Sequence, residues 1–269
     1  MLGAWHRLLI LFTRLLYVNN CLFRPRPPRW TSSFVVVALL LVSGVEPNPG
    51  PSTSLNSSVN FGLLNARSAV NKAAHIHDVI ADHQLDITVI TEMWIPSDAP
   101  DAIKLDMAPA NYCVLHSFRG SSTDRRGGGI AVVHKQAIGA SVINLGKYNE
   151  FESLFIRVNT SPHIIIAAIY RPPGAVSAAF CNELSELFDR LLLAAQRYVV
   201  CGDFNCPGQN GSVIDDRLAD VFHRHNQTQL VSQPTHDAGN ILDLLIVPDC
   251  WNNLVDSVAL LTTRLCAAE

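Results

Sequence analysis

Tyr198-Val199-Val200-Cys201-Gly202-Asp203-Phe204-Asn205 runs from an apolar stretch through a glycine into an acid and an amide two residues apart. The apolar part reads as a strand. In an extended segment residues i and i+2 face the same way. Asp203 and Asn205 can therefore point together at one phosphate or one water, although an ordinary Asp/Asn turn would use the same two residues. Just upstream, Val176–Gln196 has helical spacing and puts Phe180, Leu184, Leu187, Phe188, Leu191 and Leu192 on one stripe. Moving outward, strand-length apolar runs lie at Phe61–Asn65, Asp86–Thr91, Tyr112–His116, Gly129–Val133, Leu154–Val158 and Ile164–Tyr170. Two more follow at Gln229–Ser232 and Ile241–Val247, and two further helices are predicted at Val70–His83 and near Ile214–His225. The strands are rich in Val and Ile, and several are apolar throughout, as strands covered on both faces are. Many strands with few helices predict an α/β fold built as a two-sheet sandwich with helices outside.

The polar residues sit where these apolar runs stop, and strand ends are where a rigid scaffold can present side chains to a cleft. Asp86-Ile-Thr-Val-Ile-Thr-Glu92 ends in a carboxylate, which is costly in that setting unless it is paired or binds a metal. A structural ion pair with an arginine would satisfy it equally. Ile164–Ile169 leads into Tyr170 and Arg171, with prolines fixing the exit path. A snorkelling tyrosine and a surface arginine are the plain alternative. Asn240-Ile-Leu-Asp243 places an acid just inside a strand, and Thr235 precedes it in a loop; a structural hydrogen-bonding pair would look the same. Phe61-Gly-Leu-Leu-Asn65 opens the series with an amide. Gly127-Gly128-Gly129 has no Gly-Lys-Ser/Thr and helix after it, so it reads as a loop entering a strand and not as a phosphate-cradling loop.

The order Asn, Glu, Tyr, Asp-x-Asn, Asp, each at a strand end, resembles the endonuclease/exonuclease/phosphatase superfamily. The stretches Leu64-Asn-Ala-Arg-Ser68, Thr91-Glu-Met-Trp94, Ile169-Tyr-Arg-Pro-Pro173, Gly202-Asp-Phe-Asn205 and Gly239-Asn-Ile-Leu-Asp-Leu244 resemble the version carried by non-LTR retrotransposons of the chicken-repeat type. The resemblance covers about two thirds of the chain, from about Phe61 to Val247. It implies a phosphodiesterase that nicks DNA so that the new 3′-hydroxyl primes reverse transcription, using Mg2+ or Mn2+. Glu92 would be the main metal ligand with Asn65 beside it. Asp203 would orient or deprotonate the attacking water, Asn205 contact the scissile phosphate, Tyr170 donate to its oxygen, and Asp243 support the active-site hydrogen bonds. Thr235 would contact nucleic acid or shape its loop, and Arg119, Arg125, Arg126 and Arg171 are candidates for backbone phosphates. DNA is the implied partner, with a reverse transcriptase and element RNA in a whole retrotransposon protein, and the nucleus is the implied place of action. The family closes its domain with a Ser-Asp-His or Asp-His element one strand beyond the position of Asp243, and nothing here matches it. The domain is therefore expected to be C-terminally incomplete and to lack its last strand. A catalytically impaired remnant and a phosphatase of the same superfamily are the alternatives.

Residues 1–50 read as an apolar, arginine-containing leader, 51–60 as a linker, and 61–269 as the endonuclease-like domain. Gly44-Val-Glu-Pro-Asn-Pro-Gly50-Pro51 resembles the ribosome-skipping (2A-like) peptides, which implies a skip between Gly50 and Pro51. Gly44 stands where those peptides have an acid. The apolar run Phe34–Val42 also has the length of a signal-peptide core, which leaves a secretory path open. No apolar run reaches the ~20 residues of a spanning helix. Five of the 20 Lys and Arg residues, and none of the 23 acids, precede Glu46, so the remainder carries 15 basic and 23 acidic side chains. Nucleic-acid binding would then rest on a local patch and bound cations. Seven cysteines, an odd count with no Cys-x-x-Cys, point to reduced, mostly buried thiols.

Overall fold

The computed structural model describes residues 32–41, 57–119, 127–160, 162–209, 212–236 and 238–263. The strands are β1 (Ser32–Leu41), β2 (Ser57–Asn65), β3 (Ile87–Thr91), β4 (Tyr112–Ser117), β5 (Ile130–Lys135) and β6 (Ala140–Val142). They continue as β7 (Glu152–Val158), β8 (Ile164–Tyr170), β9 (Tyr198–Asp203), β10 (Gln227–Gln229), β11 (Asp243–Pro248) and β12 (Val255–Thr263). The helices are α1 (Ala73–Asp82), α2 (Asp101–Leu105), α3 (Ala178–Ala194) and α4 (Asp216–Arg224), with 3-10 turns at Val70–Lys72 and Asp249–Leu254.

Two six-stranded sheets result, ordered β12-β1-β2-β3-β5-β4 and β10-β11-β9-β8-β7-β6. Most neighbours are antiparallel; β2–β3 and β8–β9 are parallel. Each parallel pair is joined through a helix, α1 or α3, as a parallel crossover requires. The α/β sandwich expected from the sequence is what forms. β8 and β9 are buried at every position, which is why they read as unbroken apolar runs. One apolar cluster runs from Phe61, Leu63 and Val89 to Ile166, Val200 and Leu245; α3 adds Phe180, Leu184, Leu187, Phe188 and Leu191 to it. A second holds α1 through Ile76, Val79 and Ile80 against Leu64, Ile90 and Val133.

Local signals set the helix boundaries. The Ser177 side chain caps α3 by accepting from the Phe180 N–H, and Asp215 caps α4 by accepting from the Arg217 N–H. The helix predicted from Val70 begins with a 3-10 turn and becomes α-helical at Ala73. Leu192, placed on the α3 stripe by sequence, is 71% exposed. One step past Leu191 turns the side chain by about 100° off the buried line. The strand predicted over Gln229–Ser232 lies two residues earlier, and short elements such as β6 and α2 gave no periodic signal.

The leader departs furthest from expectation. Ser32–Leu41 is a strand of the first sheet, between β2 and β12, and β2 already begins at Ser57, inside the residues read as a linker. Each sheet has six strands, and one strand of the first comes from the leader. Gly44, Gly50 and Pro51 lie outside the described residues. Cys113, Cys181, Cys201, Cys206 and Cys250 are free thiols, and among the described residues no helix is long and apolar enough to cross a membrane.

Candidate active site

The strand register assembles the site. Across four strands of the second sheet, Glu152 lies opposite Tyr170, Tyr170 opposite Asp203, and Asp203 opposite Asp243. Residues paired in register project from the same side of a sheet. In the first sheet Asn65 lies opposite Thr91, so Glu92 follows at the same end. The two ends meet at Asn65, whose Nδ2 donates to Glu92 Oε1 (3.0 Å) and to Asp203 Oδ2 (2.7 Å). The Asn65 Oδ1 accepts from the Arg67 N–H, which fixes the orientation of the amide.

Gly202 is required by this packing. A Cβ there would lie 1.8 Å from the carbonyl oxygen of Ile169, so only glycine lets β9 approach β8 beside Asp203. Backbone with positive φ clusters at the same end, at Arg67, Ser68, Glu92, Trp94 and Asn205. Residues held this way are concentrated at functional sites.

A cleft of about 340 Å³ opens here, lined by Asn65, Glu92, Asp203, Asn205, Asp243 and His236 among others. Asp203 accepts from the Asn205 N–H (3.1 Å) and from Asn205 Nδ2 (2.9 Å). Burial pushes the Asp203 carboxyl well above the usual carboxylate range, and the nearby Asp243 and Glu92 charges add to this. Asp243 is pushed up to about 7, again mainly by burial; the Thr235 hydrogen bond and Arg67 oppose the shift and Glu92 adds to it. The Asp243 Oδ1 is buried with no hydrogen-bond partner. Burial also raises Tyr170, helped by Glu92 and Asp203, so the phenol keeps its proton. Tyr170 is buried at the end of β8 and does not line the cleft.

The structure therefore brings Asn65, Glu92, Asp203, Asn205 and Asp243 together. Thr235 lines the cleft and shapes its loop, its Oγ1 accepting from the Leu242 and Asp243 N–H groups. Arg171 is a correction. It is 5% exposed and donates to the carbonyls of Phe204, Asn205, Gly174 and Ala175, so its guanidinium is consumed by the scaffold and does not meet a phosphate. Arg119 pairs with Glu152 (2.7 Å) and lies 6.0 Å from the Tyr170 ring, at the rim of the acid row. Arg125 and Arg126 lie outside the described residues.

Two site residues were missed by sequence reading. Trp94 is 41% exposed, and its indole N–H donates to Glu92 Oε2 at 3.2 Å. Beyond its place two residues after that carboxylate, no sequence signal marks it. His236 enters the cleft wall with its Nδ1 accepting from the Ala238 N–H. That leaves the ring proton on Nε2. Nothing in the spacing around His236 marks it.

Three carboxyl and two amide groups, with one buried Asp243 oxygen unsatisfied and the acids repelling one another, suit a hard divalent cation. Among the described residues no three His, Cys, Asp or Glu side chains close into a metal cage. Magnesium needs none, because it keeps several waters and takes one or two carboxylates plus substrate oxygens.

Residues 56–256 match the Endonuclease/Exonuclease/phosphatase family. The chain belongs to that family. No curated protein sequence matches this family member. Its fold is similar to the endonuclease domain of TRAS1, a telomere-specific non-LTR retrotransposon, with TM-score 0.53 and 16% identity over 76% of this chain and 97% of that one. It is also similar to the AP endonuclease LMAP from Leishmania major, with TM-score 0.54 and 13% identity over 70% and 78% of the two chains. A third similar fold is the 3′ phosphatase NExo from Neisseria bound to a product DNA hairpin, with TM-score 0.50 and 15% identity over 69% and 85%.

Proposed function

We propose that this family member is a divalent-metal-dependent phosphodiesterase that nicks DNA, of the kind that serves target-primed reverse transcription of a non-LTR retrotransposon. One observation carries the reading. The Asn65 amide joins a carboxylate from each sheet, Glu92 and Asp203, in an open cleft that also holds the unsatisfied Asp243. A group of acids this buried needs a cation to stay ionised, and a cation beside acids is what a negatively charged phosphodiester needs in order to approach.

Glu92 would hold the magnesium or manganese ion, with Asn65 keeping the carboxylate aimed. The bound ion would stabilise the negative charge that builds on the phosphoryl oxygens. Asp203 is fixed by three hydrogen bonds and has a raised proton affinity, so it is suited to take a proton from the attacking water. His236 offers an Nε2–H as a donor for a developing oxyanion, whereas Tyr170 stays protonated but is buried behind the cleft lining. Asn205 holds Asp203 to the Arg171 carbonyl and so sets the position of the base. Trp94 tethers the second Glu92 oxygen. DNA would enter over the cleft with Arg119 at its rim.

The alternative reading is a catalytically impaired remnant of the same domain. The test is magnesium-dependent nicking of supercoiled plasmid by the full chain, beside Asp203→Asn and Glu92→Gln. Nicking lost in both variants supports the nuclease. A folded wild-type chain that leaves plasmid intact, with magnesium or manganese, sinks it and favours the remnant.

A further inference from the structure

β1, like all of β12 beyond Asp256, lies outside the residues that match the family, 56–256, and it is an interior strand with a neighbour on each side. On one side the antiparallel register runs from Phe34 opposite Leu64 to Leu41 opposite Ser57. On the other it runs from Ser32 opposite Thr263 to Leu39 opposite Val255, with one bulge at Ala38/Leu39. Among the described residues β12 has no other sheet neighbour, so it is held in the sheet through β1. The chain between β1 and β2, residues 42–56, contains the skipping-like junction Gly50-Pro51.

These facts conflict if the leader is only a leader. A break at Gly50-Pro51 would cut the covalent link between β1 and β2 while leaving both ladders of β1 available. Losing β1 would expose the backbone N–H and C=O groups of β2 and of β12 together. Two unpaired edges flanking a strand-wide gap are a strong template for an added strand. The occupant that fits is extended, apolar, free of proline and antiparallel to both edges, and Ser32-Ser-Phe-Val-Val-Val-Ala-Leu-Leu-Leu41 has all of these properties. Strand addition of this kind draws affinity from main-chain hydrogen bonds.

We propose that residues 32–41 are a separable complementing strand: when the chain parts at Gly50-Pro51, the fragment 1–50 stays docked between β2 and β12 of its own chain, giving a two-piece domain. The slot bears on the cleft, because β2 ends in Asn65, the amide that joins the two sheets. The inference stands on topology and does not depend on which phosphoester the cleft accepts.

The test uses the full chain with a site-specific protease sequence placed within residues 43–49. The folded protein is cut under native conditions, and its mass is read by size-exclusion chromatography with light scattering. The expected result is one fragment 1–50 per domain, eluting with it. Amide exchange in β2 and β12 should stay within about tenfold of the uncut protein. Val36→Pro, opposite Gly62 and Ala259, removes a ladder bond on one side and should release the fragment after cutting. If Val36→Pro disturbs folding before the cut, the exchange comparison of cut and uncut wild type decides alone. Separation of the fragment, aggregation of the cut domain alone, exchange of strands between two copies, or equal retention by folded Val36→Pro would each overturn the proposal.

Discussion

The middle of β9 and its end are equally dry and chemically opposite. Val199, Val200 and Cys201 are fully buried among apolar neighbours, and Asp203 two residues later is 2% exposed. The middle is satisfied by packing, which contributes about 25 cal/mol per Å² of apolar surface removed from water. The end is satisfied only in part: Asp203 has three hydrogen bonds, while its register partner Asp243 keeps one oxygen without a partner. The same burial thus stabilises one half of a strand and stores unfavourable charge in the other. The contrast teaches that stability and chemistry are separated along single strands, with the boundary at Gly202.

That contrast can be broken in four ways. The largest effect is expected at the cleft: Glu92→Gln and Asp203→Asn should each lower plasmid nicking by about 10³-fold, with melting temperature unchanged or raised. A matching loss of stability would mean that the end of the strand holds the fold together after all. Next comes the packed region, where Leu184→Ala should cost about 3 kcal/mol in urea unfolding while the refolded enzyme keeps its nicking rate. His236→Ala should follow with a drop of about 10²-fold in nicking, partly restored in His236→Gln, which still presents an N–H. Wild-type rates in His236→Ala would remove the imidazole from the proposed donor set.

The last test reads stability alone and concerns Asp243. Its folded carboxyl is pushed up to about 7, above the unfolded value of about 3.9. Ionising it therefore works against the folded state. This cost is absent below about pH 4, grows between there and pH 7, and is complete above that. In chelator, Asp243→Asn should be more stable than wild type at pH 8 and gain little at pH 4.5, read from paired thermal melts. An equal gain at both values would show that packing, not charge, sets the difference.

Much of the molecule was legible in the sequence. β8 and β9 were, because a strand covered on both faces must be apolar throughout. So were Glu92, Asp203 and Asp243, because an acid that ends such a strand has few inexpensive structural uses. Arg171 was misplaced because sequence gives its position at a strand end but not the four carbonyls that surround it. Leu192 was misplaced because a stripe drawn too wide includes the next residue around the helix. Trp94 and His236 were not legible as site residues. Each is defined by one contact in space, to Glu92 and to the Ala238 N–H, and no spacing rule anticipates either.

By itself the sequence determined the α/β sandwich and the series of polar strand ends, since burial on both faces and the cost of buried acids act locally and leave a periodic trace. Tertiary structure alone decided that Asn65 joins two carboxylates from different sheets, that a histidine from the loop before β11 reaches the cleft, and that an apolar leader segment becomes an interior strand. These depend on register and sheet order, which make neighbours of residues as far apart in the chain as Ser32 and Thr263. An apolar run carries no label for the edge it will pair with, because backbone hydrogen bonds are the same for every sequence.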